Sequence, residues 1–298
     1  MKRLVVGSRD SRLAIAQSMS LVQYLKEALP ETEIELVTMK TSGDRKLDRA
    51  LFEIGGKGLF VKELDTALRE KRVDITVHSL KDVPLVIPSD LPLLGFSKRE
   101  EPRDVLVLPE GKEEGCRFDT IGTSSLRRGL QLKKIYPDIS VKPIRGNIET
   151  RLRKLDAGEY GALVLAAAGL LRLGLEKRIS RYYSVEEIIP AAGQGILAVQ
   201  GREGEDYSFL QGYLDPAAER EAVCERAFTA ELGADCTSPV CAHAVIREGV
   251  LCLTGLYFEE ETGKYLTGTI KGPAEDGSLL GAELARKLRE RSGREKKL

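Results

Sequence analysis

Short β-type runs alternate with helical patterns through the first two-thirds of this chain, and that alternation limits the possible folds more than any other feature. Apolar runs of strand length lie at residues 4–6, 34–39 and 73–77. Apolar residues at helical spacing separate them, over residues 11–29 and 57–70. This order predicts βαβ units, and hence an α/β fold with a parallel, doubly wound sheet.

A second cycle of the same kind follows. Strand-like runs at residues 104–108, 140–144 and 162–167 enclose helical patterns at residues 126–135 and 148–155. We therefore expect two similar α/β domains, each with helices on both faces of its sheet.

Two segments cross between these halves, the polar stretch 96–104 and the glycine-rich stretch 190–195. A β-type run follows the second crossing and is expected to return to the first sheet. The sequence therefore predicts a discontinuous first domain, 1–97 with 196–214, and a second domain, 98–195, inserted into it.

The last part of the chain has a different pattern. Asp215 followed by Pro216 is typical of a helix start. Beyond this helix the order is three β-type runs and a closing helix, at residues 239–247, 250–258, 264–271 and 282–291. The pattern predicts a smaller α+β domain over residues 215–298.

Composition excludes several classes of protein. Lysine plus arginine and aspartate plus glutamate both number 46, so the 298-residue chain has no overall basic field for nucleic acid. The first residues do not fit a signal peptide, and the longest apolar stretch, 162–171, is too short to span a bilayer. Five cysteines without paired spacing and only two histidines predict reduced thiols and no metal site. We expect a cytoplasmic protein with neither nucleic acid nor a membrane as its partner.

Each half has a junction rich in glycine and hydroxyl side chains where a strand leads into a helix, GSR at 7–9 and GTSS at 122–125. The arginines in or after these junctions are Arg9, Arg12, Arg127 and Arg128. The N–H groups of a first helical turn attract anions. Either junction alone favours ordinary helix capping, but the two together favour a polyanionic or carboxylated ligand.

Further charged residues stand at the ends of predicted elements. Lys81 and Asp82 follow the third strand at its carboxyl end, where ligands bind in open α/β sheets. They would place a carboxylate acid/base beside an ammonium group, although a surface ion pair is the commoner explanation. Arg145, Arg151 and Arg172 lie at other element ends, where a solvated face is the alternative to bidentate carboxylate recognition.

Cys236 lies in the turn-forming segment GADCTSP, directly after a predicted helix, and it is the thiol with the greatest expected exposure. Cys241 is close by in a strand-like run, which predicts a packed thiol. The charged, glycine-containing stretch 43–60 is of the kind that can act as a lid over a site.

Eight motifs in order resemble the porphobilinogen deaminase (hydroxymethylbilane synthase) family, over residues 7–244. They are GSRDSRLA, GGKGLFVKELD, VHSLKDVP, GTSSLRR, IRGNIETRL, AAAGLLRLG, PAAGQG and the pair ERAF…DCTSP. The resemblance implies two domains similar to periplasmic binding proteins around a cleft, followed by a smaller α+β domain. It also implies head-to-tail joining of four porphobilinogen molecules with release of ammonia, and then hydrolysis to hydroxymethylbilane.

The same resemblance implies a dipyrromethane cofactor held by a thioether to Cys236, with no metal, in a monomeric enzyme. It implies one catalytic residue, Asp82, whose carboxylate stabilises the cation formed when ammonia leaves. The residues that it implies for the cofactor besides Cys236 are Lys81, Asp82, Ser125, Arg127, Arg128 and Arg151. Those that it implies for the substrate porphobilinogen are Arg9, Ser11, Thr123, Arg145, Arg151 and Arg172.

Two other functions remain open on the residues alone. A non-catalytic anion-binding protein or sensor with the same two-domain cleft would account for the arginines, but it would need neither an exposed thiol nor an acid beside Lys81. A cysteine-nucleophile hydrolase would need a histidine partner, and His243 lies seven residues from Cys236 in an apparent strand.

Overall fold

The computed structural model describes residues 2–41, 61–233, 239–259 and 263–295. Two predicted features, the lid at 43–60 and Cys236, lie outside these residues. By its internal contacts the chain divides into two compact units, Met1–Glu100 with Gly195–Glu219, and Glu101–Gln194 with Arg220–Leu298. The finer division into three domains stays a prediction.

The described strands and helices follow the predicted order. The strands are β1 Lys2–Arg9, β2 Thr32–Met39, β3 Ile75–Ser79, β4 Leu93–Phe96, β5 Asp104–Val107, β6 Thr120–Gly122, β7 Ser140–Lys142, β8 Ala162–Ala166, β9 Arg181–Tyr182, β10 Leu197–Gln200, β11 Cys241–Arg247, β12 Val250–Glu259 and β13 Lys264–Pro273. The helices are α1 Arg12–Ala28, α2 Lys62–Arg69, α3 Leu126–Ile135, α4 Ile148–Asp156, α5 Ala167–Arg172, α6 Pro216–Glu231 and α7 Gly277–Glu295. Among the helices described, none is long and apolar enough to cross a bilayer.

The sheet of the first unit has the strand order β2-β1-β3-β10-β4 and is buried on both faces. Adjacent residues of β1 point to opposite sides, as the pleat of a strand requires. Val6 packs with Leu21 and Leu25 of α1. Val5 packs on the other side with Leu68 of α2. The two faces therefore bury separate apolar clusters under separate helices, which is the doubly wound arrangement.

The second unit repeats this construction with the strand order β7-β6-β8-β5-β9. Val105 of β5 packs with Leu152 of α4 on one face. Its neighbour Leu106 packs with Leu132 of α3 on the other face. The predicted fold class, two doubly wound α/β sheets and a smaller α+β part, is confirmed.

The sheets are mixed, so the prediction of parallel sheets is wrong in part. β1 pairs parallel with β2 and β3, and β6 pairs parallel with β7 and β8. β10 instead pairs antiparallel with β3 and β4, and β5 pairs antiparallel with β8 and β9. Both exceptions follow one of the polar or glycine-rich crossing segments. A strand that enters a sheet from such a segment has no helical crossover from its neighbour to impose the parallel direction.

The C-terminal part of the second unit is an antiparallel sheet, β11-β12-β13, covered by α6 and α7. The two helices approach each other closely at Gly281 of α7. A Cβ at this position would overlap the carbonyl oxygen of Cys224 and lie 2.9 Å from the amide nitrogen of Phe228, both in α6. Only glycine allows this separation of the two backbones.

We predict that Gly281→Ala destabilises the protein. The added methyl group has to separate two packed helices, which costs about 1–3 kcal/mol and exceeds the gain in helix propensity. Gly293→Ala in the same helix is the matched control, since nothing lies within 4 Å of a Cβ there. Urea denaturation should show a lower midpoint for the first variant and an equal or higher one for the second. Equal midpoints for both variants would contradict the close helix contact.

Candidate functional site

The first junction with glycine and hydroxyl side chains brings β1 close to β3 and begins α1. A Cβ at Gly7 would lie 3.0 Å from the Thr76 side chain, so the two strands leave little space there for a larger residue. Ser11 is the N-cap of α1, and its Oγ accepts a hydrogen bond from the Ala14 amide at 3.3 Å. Arg9 is half-buried at the end of β1. Ser11 thus has a capping role in the fold, and its contact with substrate stays a prediction.

A recess in the first unit collects side chains from the end of β3, the end of β1 and the first turns of α1. Arg9, Gln17, His78, Ser79 and Asp82 are among the residues that line it. Gln17 Nε2 donates a hydrogen bond to Ser79 Oγ at 2.8 Å. Asp82 lies exposed in a single 3₁₀ turn that directly follows β3. The structure therefore places a water-accessible carboxylate and a guanidinium on one recess at a strand end.

Lys81 lies in the same 3₁₀ turn and is half-buried. Its predicted contact with the cofactor stays a prediction.

His78 belongs to a buried polar network beneath this recess. Its Nε2 lies 2.9 Å from Thr76 Oγ1 and 3.1 Å from Gln200 Oε1. Gln200 Nε2 donates to the Leu91 carbonyl oxygen at 2.9 Å, which fixes the orientation of that amide. Since an amide oxygen only accepts, His78 Nε2 carries the hydrogen. Burial lowers the pKa of His78 to about 4, so the ring is neutral at pH 7.

The second junction leads into a cluster of buried charges around Asp104, the first residue of β5. Arg127 Nη1 donates to Asp104 Oδ2 at 2.6 Å. Arg128 Nε and Nη2 donate to Asp104 Oδ1 at 3.0 and 2.7 Å. Gln194 Nε2 donates to the same oxygen at 3.0 Å. Exposure is 0% for Asp104, 6% for Arg127 and 7% for Arg128, so the cluster is closed to most solvent.

The carboxyl of Asp104 is ionised in this environment. Burial alone would raise its pKa, but the charges and hydrogen bonds of Arg127 and Arg128 outweigh burial and hold the pKa well below the usual range. Ser125 is the N-cap of α3, and its Oγ accepts a hydrogen bond from the Arg128 amide at 3.4 Å. The cap and the carboxylate together fix the first turn of this helix.

The two arginines use their donors differently. Arg127 Nη1 also donates to the Ile189 carbonyl oxygen at 2.7 Å, whereas its Nε and Nη2 donate to none of the residues that the structure describes. Nε and Nη2 form one edge of the guanidinium, which suits a carboxylate bound by two parallel hydrogen bonds. Arg128 Nη1 donates to the Val164 carbonyl oxygen at 3.2 Å. A carboxylate therefore fits the second edge of Arg127.

The remaining predicted anion-binding residues of the second unit are half-buried or buried. Arg145, Arg151 and Arg172 are each half-buried. Arg151 Nε donates to the Gly146 carbonyl oxygen at 2.8 Å, which holds this side chain against the start of α4. Thr123 is buried, and its Oγ1 accepts a hydrogen bond from the Ser125 amide at 3.3 Å. Their contacts with substrate or cofactor stay predictions.

Cys241 is a packed thiol, as its strand-like context predicted. It is 1% exposed, and Gln131 Nε2 donates to its Sγ at 3.5 Å. Burial raises its pKa to about 12, which keeps the thiol protonated and unreactive at pH 7. His243 is also buried, with Nδ1 3.5 Å from a carboxylate oxygen of Glu225. A histidine enclosed in this way is poorly placed to act as a general base for a nucleophile.

Sequence reasoning missed three residues of these sites, Gln17, Asp104 and Gln194. Asp104 had a usable signal, because an acidic residue that opens an otherwise apolar strand needs a cationic partner. Gln17 occupies a core position of α1 and Gln194 lies in a turn, and neither pattern indicates a hydrogen-bond partner. Along the described residues, no group of three or more His, Cys, Asp or Glu side chains is arranged to hold a metal ion.

Comparison with family models gives two matches along the chain. Residues 4–209 match the family described as "Porphobilinogen deaminase, dipyromethane cofactor binding domain". Residues 220–290 match "Porphobilinogen deaminase, C-terminal domain". Together they span most of the chain, and the first match alone covers more than half of it.

Individual relatives agree with the family models. A porphobilinogen deaminase from Ruminiclostridium cellulolyticum is 51% identical over 97% of this chain and 98% of its own length. The porphobilinogen deaminase from Chromobacterium violaceum is 43% identical over 97% of this chain and 94% of its own length. Among solved structures, the periplasmic aliphatic sulphonate binding protein SsuA from Escherichia coli matches with a TM-score of 0.40 at 13% identity, over 77% of this chain and 70% of that chain.

The neutral state of His78 predicts a pH dependence of stability. Its pKa is about 4 in the folded protein against an ordinary 6.5, so the folded state binds fewer protons than the unfolded state between these values. The stability that depends on neutral His78 is complete above pH 6.5 and is lost as the pH falls towards 4, by about 2 kcal/mol at pH 5. His78→Gln keeps a side chain that can hydrogen-bond and removes the titration. Urea unfolding at pH 7.5 and pH 5 should show a smaller loss for the variant, and equal losses would contradict the buried neutral ring.

Proposed function

Because the chain belongs to the porphobilinogen deaminase family, we propose that the charged residues described above divide the steps of that reaction among them. The enzyme is a transferase of tetrapyrrole biosynthesis, which joins four porphobilinogen molecules head to tail with release of ammonia and then hydrolyses the product to hydroxymethylbilane. It carries a dipyrromethane cofactor. A non-catalytic binding protein is not favoured, because both family models and the relatives name the deaminase. The match over residues 4–209 carries this conclusion.

In this proposal cationic and hydroxyl side chains bind the cofactor's carboxylates, and the Asp82 carboxylate accepts hydrogen bonds from pyrrole N–H groups. When bound, the dipyrromethane supplies the terminal pyrrole ring to which the first substrate molecule is joined. The residues that we assign to hold it are Lys81, Asp82, Ser125, Arg127, Arg128 and Arg151. The second edge of Arg127 supports this assignment, because its two parallel N–H donors match the two oxygens of a carboxylate and donate to none of the described residues.

The incoming porphobilinogen also carries an acetate and a propionate. The residues that we assign to bind it are Arg9, Ser11, Thr123, Arg145, Arg151 and Arg172. Half-buried arginines suit this task, since charge-assisted hydrogen bonds contribute about 1.5–3 kcal/mol each when partly removed from water. The placement of Arg9 at a strand end beside the recess that contains Asp82 supports the assignment.

Asp82 is the proposed catalytic residue. Departure of ammonia leaves a positive charge on the substrate pyrrole, and a carboxylate that accepts the pyrrole N–H stabilises that charge. The same carboxylate can take up the proton that is released when the joined ring becomes aromatic again. Two observations support this role: Asp82 is exposed at the end of β3, and it lies on a recess with Arg9.

Cys236 is the proposed attachment point of the cofactor. Its sulfur would bond to a pyrrole methylene carbon as the amine leaves that carbon, and the thiol proton would depart with the ammonia. The neighbouring thiol of Cys241 is unsuited to this, because it is buried and its pKa is raised to about 12. The thiol of Cys224 is likewise buried, with its pKa raised to about 12 by burial.

We also propose, on the family resemblance, that the enzyme works as a cytoplasmic monomer. Sedimentation of the purified protein across a range of concentrations would test the monomer, since a concentration-dependent rise in mass would contradict it.

The attachment site can be tested by intact-mass spectrometry. We expect purified wild-type protein to carry the mass of a covalent dipyrrole, and Cys236→Ser to lack both this increment and the activity, because a hydroxyl is a far weaker nucleophile. Cys241→Ser is the matched control, and it should keep the increment. A dipyrrole mapped by peptide analysis to Cys241 would overturn the assignment.

The role of Asp82 predicts a large loss of turnover in Asp82→Asn. The amide keeps the shape of the side chain but carries no charge and cannot accept a proton, so kcat should fall about 10²–10⁴-fold. Asp90→Asn removes another exposed carboxylate of the first unit, one that pairs with Arg69 at 2.6 Å, and should leave kcat within a fewfold of wild type. Near-normal turnover in Asp82→Asn would place the catalytic carboxylate elsewhere.

A further inference from the structure

One buried carboxylate and one carbonyl oxygen occupy one side of the Arg127 guanidinium. Nη1 donates both to Asp104 Oδ2 at 2.6 Å and to the Ile189 carbonyl oxygen at 2.7 Å, so its two hydrogens are used. The other edge, Nε with Nη2, has no acceptor among the described residues. The side chain is 6% exposed, and Nε and Nη2 are not among the fully buried polar atoms, so this edge faces what solvent access the residue has. The protein thus holds Arg127 by one side and leaves the opposite edge for another molecule.

Arg128 is held by the same carboxylate in a different way. It presents its own Nε and Nη2 edge to Asp104 Oδ1, at 3.0 and 2.7 Å, and its Nη1 donates to the Val164 carbonyl oxygen. Arg128 therefore uses its Nε and Nη2 edge within the protein, whereas the same edge of Arg127 has no acceptor among the described residues. Asp104 distinguishes the two neighbouring arginines by giving a separate oxygen to each of them.

We propose that Asp104 is a positioning residue for the dipyrromethane cofactor: it fixes Arg127 so that the Nε and Nη2 edge receives a cofactor carboxylate. This inference rests on the proposed role of Arg127 in holding the cofactor. Asp104 itself need not touch the cofactor, because it acts through the guanidinium that it anchors. A guanidinium bound at one side by fixed partners loses less side-chain entropy when a carboxylate binds its other edge.

Asp104 is well suited to this role by its own anchoring. It stands at the start of β5, where its backbone is paired with Ala166 of β8. Gln194 Nε2 donates one hydrogen bond to Asp104 Oδ1 at 3.0 Å and another to the Pro102 carbonyl oxygen at 2.7 Å. The carboxylate is therefore fixed in place by the sheet and by Gln194, independently of the arginines that it orients.

A plain structural ion pair is the competing explanation, and variants at Arg127 separate the two. Arg127→Lys keeps the positive charge and can still donate to Asp104 and Ile189, so the fold should be retained. A lysine has no second edge, however, and its ammonium group is already used by these acceptors. We expect native-like melting of the unloaded protein, and a ratio of loaded to unloaded chains about tenfold or more below wild type.

Two variants of Asp104 test the anchor itself. Asp104→Asn keeps the shape but removes the charge, and Asp104→Glu keeps the charge but moves the oxygens along the side chain. Wherever these variants fold, both should load poorly, because either change turns Arg127 from its fixed orientation. A role that needs only the negative charge would instead be rescued by glutamate.

The matched controls are Arg178→Lys and Asp156→Asn, at an ion pair of the same unit in which Arg178 donates to Asp156 at 2.7 and 3.1 Å. Every variant is purified as the full chain, and the loaded fraction is read by intact mass before and after incubation with porphobilinogen. Melting is measured on each chain after replacement of Cys236 by serine, so that loading does not affect it. Both controls should load as wild type does.

Each outcome either supports or overturns the positioning role of Asp104. Wild-type loading of Arg127→Lys, or of a folded Asp104 variant, would overturn the proposal. If the Asp104 variants do not fold, Arg127→Lys decides alone. The variant Arg127→Leu distinguishes a wrong positioning role for Asp104 from a wrong cofactor-binding role for Arg127. If Arg127→Leu loads normally, Arg127 does not hold the cofactor, whereas poor loading of Arg127→Leu with normal loading of Arg127→Lys removes only the positioning role of Asp104.

Discussion

A carboxylate that water cannot reach has to be neutralised by cations and hydrogen bonds, and in this protein that requirement organises the second unit around Asp104. The hydrogen bonds to Asp104 bring the first turn of α3 onto β5 and fix Gln194 beside the start of the same strand. Arg127 also donates to the Ile189 carbonyl oxygen and so holds that segment. Loss of Asp104 would leave two buried guanidinium groups without their shared carboxylate. The sheet, the helix start and the segment at residues 189–194 are therefore held in one arrangement.

The polar network around His78 in the first unit buries its polar groups without charges. His78 is neutral and shares hydrogen bonds with Thr76 and Gln200, which are buried as well. The two units also contain carboxylates that differ in their access to water, Asp104 and Asp82. Asp104 is locked in its ionised form by two arginines and is unsuited to exchanging protons. Asp82 is exposed to water beside a recess, which is the condition that an acid/base group needs.

Periodicity predicts the elements well because it reports which face each residue buries. The alternation of Val5 and Val6 between two helices follows from their adjacency in a strand. Strand direction was harder, since β5 and β10 have the same apolar pattern whether their neighbours run parallel or antiparallel. The motifs likewise indicated Arg127 but not its partner Asp104, which is 23 residues away and reaches it only through the folded sheet.

The Arg127 guanidinium serves the fold with one side, and in the proposed arrangement it serves a ligand with the other, which would link stability to loading. Without a ligand, the Nε and Nη2 donors have no protein acceptor among the described residues and are left to water. A carboxylate at that edge would add charge-assisted hydrogen bonds that only the folded chain can offer, since the unfolded chain has no oriented edge. A cofactor bound in this way therefore stabilises the fold that positions it.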